Sequence, residues 1–249
     1  MRIPRFYQKE SFNIDQTVEL SAENHRHAIQ VLRLNTDDSL ILFNGEGGEY
    51  LAILADVKKR RSTVLITSFD PVDRESSLKI SLILAVIKPE KMDFAIQKAV
   101  EMGVSDIQPL YTQRSVIKLK ANRLDKKMQH WQGVINSACE QSGRTAVPHI
   151  LEPINLGKCL NSLPVTSALT IAMLPGDSPD LSQIEMSTDN RNLSLIIGPE
   201  GGFTEEEEAH MFASENANVT GISFGPRILR AETAVIAGIT ACQLRWGDL

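Results

Sequence analysis

Two stretches in the last third of the chain combine glycine, proline, acid and arginine in a way that suits ligand chemistry. They are Ile197-Gly198-Pro199-Glu200-Gly201-Gly202-Phe203 and Gly225-Pro226-Arg227-Ile228-Leu229-Arg230-Ala231-Glu232-Thr233. A third stretch, Pro175-Gly176-Asp177, is shorter. Glycine lets a backbone approach a ligand closely, or turn with positive φ. Each stretch follows an apolar run (Ala168–Leu174, Leu193–Ile197 and Val219–Phe224) that reads as a strand. Open parallel sheets bind their ligands beyond the carboxyl ends of such strands. One Gly-Pro loop alone reads as a tight strand-to-helix turn. Two of them after neighbouring strands favour a binding site.

Missing motifs narrow the chemistry. The chain has no G-x-x-x-x-G-K-[ST], so no P-loop is expected. It has no G-x-G-x-x-G dinucleotide fingerprint and no G-x-S-x-G nucleophile elbow. His25 and His27 stand two apart with no Cys or His cluster near them, which argues against a metal site. Cys139, Cys159 and Cys242 are odd in number and widely spaced, which reads as reduced thiols. What remains is a neutral or zwitterionic cofactor held through backbone groups, with no metal.

A second constellation is basic. Arg114, Lys118, Lys120, Arg123, Lys126 and Lys127 face only Asp125 between residues 114 and 127. A polyanion is attracted to such a window, although basic runs are also common on solvated helix faces. The whole chain has 249 residues and a formal net charge of -5, which argues against nucleic acid until it is divided. Residues 1–70 carry a net -1, residues 71–150 a net +4, and residues 151–249 a net -8.

The elements that must position these residues fall into two patterns. The first seventy residues look β-rich, with apolar runs at Ser39–Phe43, Tyr50–Leu54 and Val64–Phe69. Asn44-Gly45 between two such runs is a hairpin signal, and Lys58–Arg61 is a charged turn. Ser21 is placed to cap one helix over Glu23–Leu32, with Ala28, Val31 and Leu32 inward. A small β-barrel-like domain accounts for this half, ending in the polar linker Asp70–Ser77.

Beyond it, strands alternate with helices. Ile80–Ile87 is a continuous apolar run, as a strand buried on both faces requires. Lys88-Pro89 ends it, and Glu90–Met102 follows as an amphipathic helix closed by Gly103. Asp106–Tyr111 reads as a strand, and Asn122–Ser142 as a long helix closed by Gly143. Thr204 caps a helix that opens with Glu205–Glu208, and Leu229–Arg245 is the last helix. This alternation predicts a mostly parallel sheet with helices on both faces. The domains are placed at 1–71 and 72–249. No apolar run is long enough to cross a bilayer, and the first residues lack an apolar signal region. A cytoplasmic protein with no membrane partner is expected.

The two Gly-Pro loops are similar to motifs two and three of the SPOUT methyltransferases, with Pro226 a conservative departure. Glu140-Gln141-Ser142-Gly143-Arg144 resembles motif one. Met1-Arg2-Ile3-Pro4-Arg5-Phe6-Tyr7, His27–Arg33, Lys91–Gly103 and Arg114-Ser115-Val116 resemble segments of the ribosomal RNA small subunit methyltransferase E family. The resemblance runs the length of the chain in order. It implies a PUA-like RNA-binding β-barrel domain followed by a trefoil-knotted α/β domain, a fold no periodicity argument reaches. It also implies S-adenosyl-L-methionine as cofactor, a homodimer with a shared active site, and methylation of N3 of one uridine in 16S ribosomal RNA within the small ribosomal subunit.

On that resemblance the cofactor contacts are Leu174, Gly198, Pro199, Glu200, Gly201, Gly202, Phe224, Gly225, Ile228 and Leu229. The catalytic candidates are Glu232, Arg230 and Arg144. N3–H is weakly acidic, so a base and a cation beside the carbonyl oxygens would both help. Glu232 reads equally as that base or as a first-turn carboxylate favoured by the helix dipole. Arg144 lies just past a helix end, where a cation is favourable in any case. The RNA contacts are Arg2, Arg5, His27, Arg33, Arg114, Lys118 and Lys120, since arginine suits phosphate forks and stacking on bases. Arg33 could instead lay its stem over the barrel surface.

Overall fold

The computed structural model describes residues 3–115, 121–163, 169–176, 178–187, 189–215 and 217–249. Their contacts divide into two units, Met1–Glu75 with Asn136–Val147, and Ser76–Ile135 with Pro148–Leu249. The boundary at Glu75 falls inside the polar stretch expected to be the linker. Asn136–Val147 joins the first unit, which a single cut of the chain does not provide.

In the first unit, β1 (Arg5–Tyr7), β2 (Thr17–Glu19), β3 (Ser39–Phe43), β4 (Glu49–Val57) and β5 (Ser62–Asp70) form one sheet in the order β1-β3-β4-β5-β2. Alternate residues Leu40 and Leu42, Ala52 and Leu54, and Val64 and Ile66 are fully buried, as the period of a strand dictates. Phe6 on β1 and Val18 on β2, at opposite ends of this path, belong to the same core. The sheet therefore bends around that core. Two register shifts between β4 and β5 help it curl.

The single helix expected over Glu23–Leu32 is corrected. Ser21 caps α1 (Ala22–His25) by accepting from the Asn24 amide, but Arg26–Val31 winds as a π-helix. The Leu32 amide donates to the His27 carbonyl, one residue farther back than an α-helix allows. Of the three side chains expected inward, only Ala28 is buried; the wider turn carries Val31 and Leu32 to the surface.

The second unit carries β6 (Lys79–Ala85), α2 (Pro89–Glu101), β7 (Val104–Tyr111), the first part of α3 (Ala121–Ser142), β8 (His149–Ile150) and β9 (Ile154–Asn155). Then come α4 (Leu156–Ser162), β10 (Leu169–Met173), β11 (Asn192–Ile197), α5 (Glu205–Phe212), β12 (Val219–Ile222) and α6 (Ala231–Trp246). The strand order is β12-β10-β11-β6-β7-β8, with β9 also on β7. The ladders described here are all parallel. Ile80 and Leu82–Ala85 are buried, as a sheet covered on both faces requires.

The expected punctuation is present. Pro89 stands in the first turn of α2, and Gly103 and Gly143 take positive φ of 88° and 91° after their helices. Thr204 and Glu207 form a reciprocal capping box on α5. Boundaries shift by a residue or more at several elements, and the shift that bears on the site lies after β12. β12 ends at Ile222 and α6 begins at Ala231, so the loop between them is longer at both ends. Strands β1, β2, β8 and β9 and helix α4 had no sequence signal, being too short to show a period. The three thiols are buried and unpaired; burial pushes Cys139 and Cys242 up to about 12 and Cys159 to about 11.

α6 rests on the sheet through Gly238. A Cβ there would stand 2.7 Å from the Met173 sulfur and 3.0 Å from Leu195 Cδ2. Gly238→Val should cost about 1–3 kcal/mol by overpacking, read as a lowered urea midpoint. An unchanged midpoint would mean that α6 does not depend on this close approach.

Candidate functional site

The ends of β10, β11 and β12 are level because their ladders are in register: Met173 pairs with both Ile197 and Ile222. The loops that leave these three residues therefore rise from one edge and frame a cavity of about 110 Å³ that opens to solvent. Leu174, Gly198, Pro199, Glu200, Gly202, Phe224, Gly225, Ile228 and Leu229 line it, as expected. Gly201 does not; its α-carbon turns toward Arg114, where a Cβ would meet the Arg114 Cβ at 3.4 Å.

Two glycines are required by conformation. Gly202 and Gly225 have φ of 68° and 83°, and nothing stands within 4 Å of the place a Cβ would take. Gly198 is required by packing, since a Cβ would come 3.0 Å from the Phe203 ring. Sequence reasoning missed Phe203, Arg227, Ala231 and Ala234 as lining residues. Phe203 ended a motif already singled out, so its place beside Gly198 was the available signal. Ile228, although apolar, is 86% exposed at this cavity.

The catalytic candidates are not brought together. Arg230 is exposed at the N-cap of α6, next to the lining residues Leu229 and Ala231. Glu232 is corrected: it does not line the cavity. Its Oε1 lies 3.4 Å from Lys91 Nζ on α2, and its buried Oε2 has no hydrogen-bond partner among the described residues. Arg144 is also corrected. It lies in the first unit, 6% exposed, with its Nε donating to Glu75 at 2.9 Å and a second ion-paired contact from Nη2. Glu75 also accepts from the Thr145 and Ala146 amides, so the pair fastens the turn after α3.

The RNA candidates scatter. Arg2, Lys118 and Lys120 lie outside the described residues. Arg5 is corrected from a surface contact to an internal anchor. It is 8% exposed, donates to Glu49 and to the carbonyls of Cys139 and Arg144, and lies over the Phe43 ring. Glu49 is held below the usual carboxylate range: burial raises it, but bonds and charges from Arg74 and Arg5 outweigh that. His27 is half-buried, edge-on to Phe6 at 5.5 Å. Arg33 is exposed in a left-handed conformation, φ 58°. Arg114 is exposed but engaged, giving two 2.9 Å hydrogen bonds to the carbonyls of Gly201 and Phe203. The turn Lys58–Arg61, which was read only as a turn, presents four exposed cations. Among the described residues, no group of three His, Cys, Asp or Glu is gathered for a metal ion.

A family model described as an RNA methyltransferase domain matches residues 74–243, and one described as an RNA methyltransferase PUA domain matches residues 20–67. Ribosomal RNA small subunit methyltransferase E of Buchnera aphidicola subsp. Schizaphis graminum is 33% identical over 249 residues, 100% of this chain and 98% of that protein. The protein of that name from Bacillus subtilis is 30% identical over 90% of this chain and 89% of its own length. The crystal structure of ribosomal RNA small subunit methyltransferase E from Neisseria gonorrhoeae, bound to S-adenosyl methionine, superposes with a TM-score of 0.91. It shares 37% identity and covers 100% of both chains. A methyltransferase from Legionella pneumophila in complex with the bound cofactor SAM gives a TM-score of 0.94 at 36% identity, again over 100% of both chains.

The ion pair at Arg144 is testable. Glu75→Ala removes the carboxylate that a buried guanidinium and two backbone amides share. It should cost about 3–5 kcal/mol, the range for breaking one side of a buried pair, read as a lowered thermal midpoint. A variant as stable as the unaltered chain would release Arg144 from this structural assignment.

Proposed function

The chain belongs to the ribosomal RNA small subunit methyltransferase E family, and on that premise we propose that it methylates N3 of one uridine in 16S ribosomal RNA of the small ribosomal subunit. It is an S-adenosylmethionine-dependent RNA methyltransferase.

The observation that carries it is the cavity at the level ends of β10, β11 and β12. Its residues fit the methyl donor. Gly202 and Gly225 leave open the space that side chains would fill, and Leu174, Ile228 and Leu229 offer apolar walls for an adenine face. Bound S-adenosylmethionine supplies an electrophilic methyl group on a sulfonium sulfur. The chain's part is then to hold the uridine and to ease loss of its N3 proton. Arg227 lines the cavity and Arg230 stands beside it, both exposed. A cation there stabilises the negative charge that grows on the two carbonyl oxygens flanking N3. Glu232, tied to Lys91, secures the start of α6 against α2, and the proton leaves to water.

RNA is held in this reading by His27 and Arg33 of a PUA-like domain over residues 1–71, joined by the turn Lys58–Arg61. Arg2, Lys118 and Lys120 keep their expected role. Residues 72–249 form the knotted catalytic domain. A cytoplasmic homodimer completes the reading; exposed Phe94 and Leu244 in the second unit are surface that a second copy would cover.

The test is incubation of the purified chain with methyl-labelled S-adenosylmethionine and small subunits from cells lacking the modification. Label should enter 16S ribosomal RNA at one uridine that then blocks primer extension, because N3 methylation removes the pairing edge. Label on a ribose, on a carbon atom or only on another RNA would overturn the assignment. Glu232→Gln should lower the transfer rate by less than about tenfold. A fall of about 10²–10⁴, the worth of a general base, with cofactor affinity intact would restore Glu232 to that role.

A further inference from the structure

The loop after β7 reaches the cofactor cavity's wall without lining the cavity. Thr112–Ser115 is a tight turn locked from within. The Ser115 amide donates to the Thr112 carbonyl, the Thr112 amide donates to Ser115 Oγ, and the two hydroxyl groups lie 2.8 Å apart. Both side chains are buried. The two residues between them are thus presented outward on a fixed base.

Both of those residues grip the β11–α5 loop. Arg114 Nη1 donates to the Gly201 and Phe203 carbonyls at 2.9 Å each. The Gln113 amide donates to Glu207 Oε1 at 2.7 Å, while Glu207 Oε2 accepts from the Thr204 amide at 3.0 Å. Glu207 is buried and belongs to the capping box of α5, so Gln113 is joined to the element that ends the loop. One guanidinium nitrogen therefore spans Gly202, which has the left-handed φ and lines the cavity, by holding the carbonyls on either side of it. Gly201 packs its α-carbon flat against the Arg114 stem. A charged donor on two carbonyls is stronger than a neutral one.

We infer that Arg114 is a positioning residue for the methyl donor: it fixes the Gly201–Phe203 backbone in the shape that receives the cofactor, rather than serving as a phosphate contact for RNA. The inference rests on the methyl-donor reading of the cavity. It replaces the role that its basic neighbourhood suggested, because the donor facing the loop is already spent on protein carbonyls.

The two roles separate by experiment. Arg114→Ala should weaken S-adenosylmethionine binding in calorimetric titration by about tenfold, equivalent to ~1.4 kcal/mol, and raise its KM more than it lowers kcat. Arg114→Lys, which keeps a cationic donor, should recover most of that loss. RNA affinity of the cofactor-free Arg114→Ala chain, and its salt dependence, should stay unchanged. Gly201→Val presses the same contact from the loop side; combined with Arg114→Ala, its effect should be less than additive. The inference is overturned if Arg114→Ala keeps its cofactor affinity within about twofold. It is overturned equally if RNA affinity falls and the salt slope drops by about one, the signature of a lost phosphate contact. Should Arg114→Ala not fold, Arg114→Lys and Gly201→Val alone decide, through cofactor affinity at full thermal stability. If the unaltered chain binds no S-adenosylmethionine, it is the reading of the cavity that fails, whatever the variants do.

Discussion

The register of three parallel strands is the constraint from which the site follows. Met173 is hydrogen-bonded level with Ile197 on one side and Ile222 on the other. A parallel ladder slipped by one residue would turn alternate side chains to the opposite face. It would also stagger the loops so that no common cavity formed. What keeps the register is burial on both faces: successive side chains alternate between them, and Ile171, Ala172, Leu195, Ile196 and Ile222 are all buried. α6 enforces it from one side, and the absence of a side chain at Gly238 lets it come close enough.

The first unit is organised by a buried charge cluster. Glu49 receives Arg5 and Arg74, and Arg5 also reaches the carbonyls at the end of α3. Tyr7 and Glu140 make a parallel tie, from the Tyr7 amide to Glu140 Oε1 at 3.0 Å. Such ions are expensive to bury and are kept only where every charge is met. Here they bind the first strand, the linker end at Arg74 and the segment Asn136–Val147 into one body. Arg144 with Glu75 does the same for the turn that follows α3. Two residues with the chemistry of contacts or catalysts, Arg5 and Arg144, are thus held by charges from segments distant in sequence.

That explains what the sequence could and could not say. Gly202 and Gly225 were legible because two Gly-Pro loops follow neighbouring strands, which a tight turn alone does not explain. Leu174, Ile228 and Leu229 came with those loops through the family resemblance, Leu174 being read as a strand end and Leu229 as a helix start. Arg5, Arg144 and Glu232 have protein partners that the sequence did not show, since a charged residue's type does not report whether its partner is a ligand or a distant side chain. Glu75, Glu49 and Lys91, the partners, lie 69, 44 and 141 residues away along the chain. The π-turn at Arg26–Val31 was illegible in principle. Its spacing of apolar residues satisfies an α-helix equally well, and only the backbone bond from the Leu32 amide to the His27 carbonyl distinguishes the two.

The bare isoleucine at the cavity has a thermodynamic consequence. Ile228 is 86% exposed, beside the largely apolar residues Leu174, Leu229 and Phe203. A small molecule that covers it removes hydrocarbon from water, and this carries a negative heat-capacity change. The enthalpy of occupancy must then grow more favourable as temperature rises. The loop that admits the ligand also writes a calorimetric signature that a purely polar site would lack.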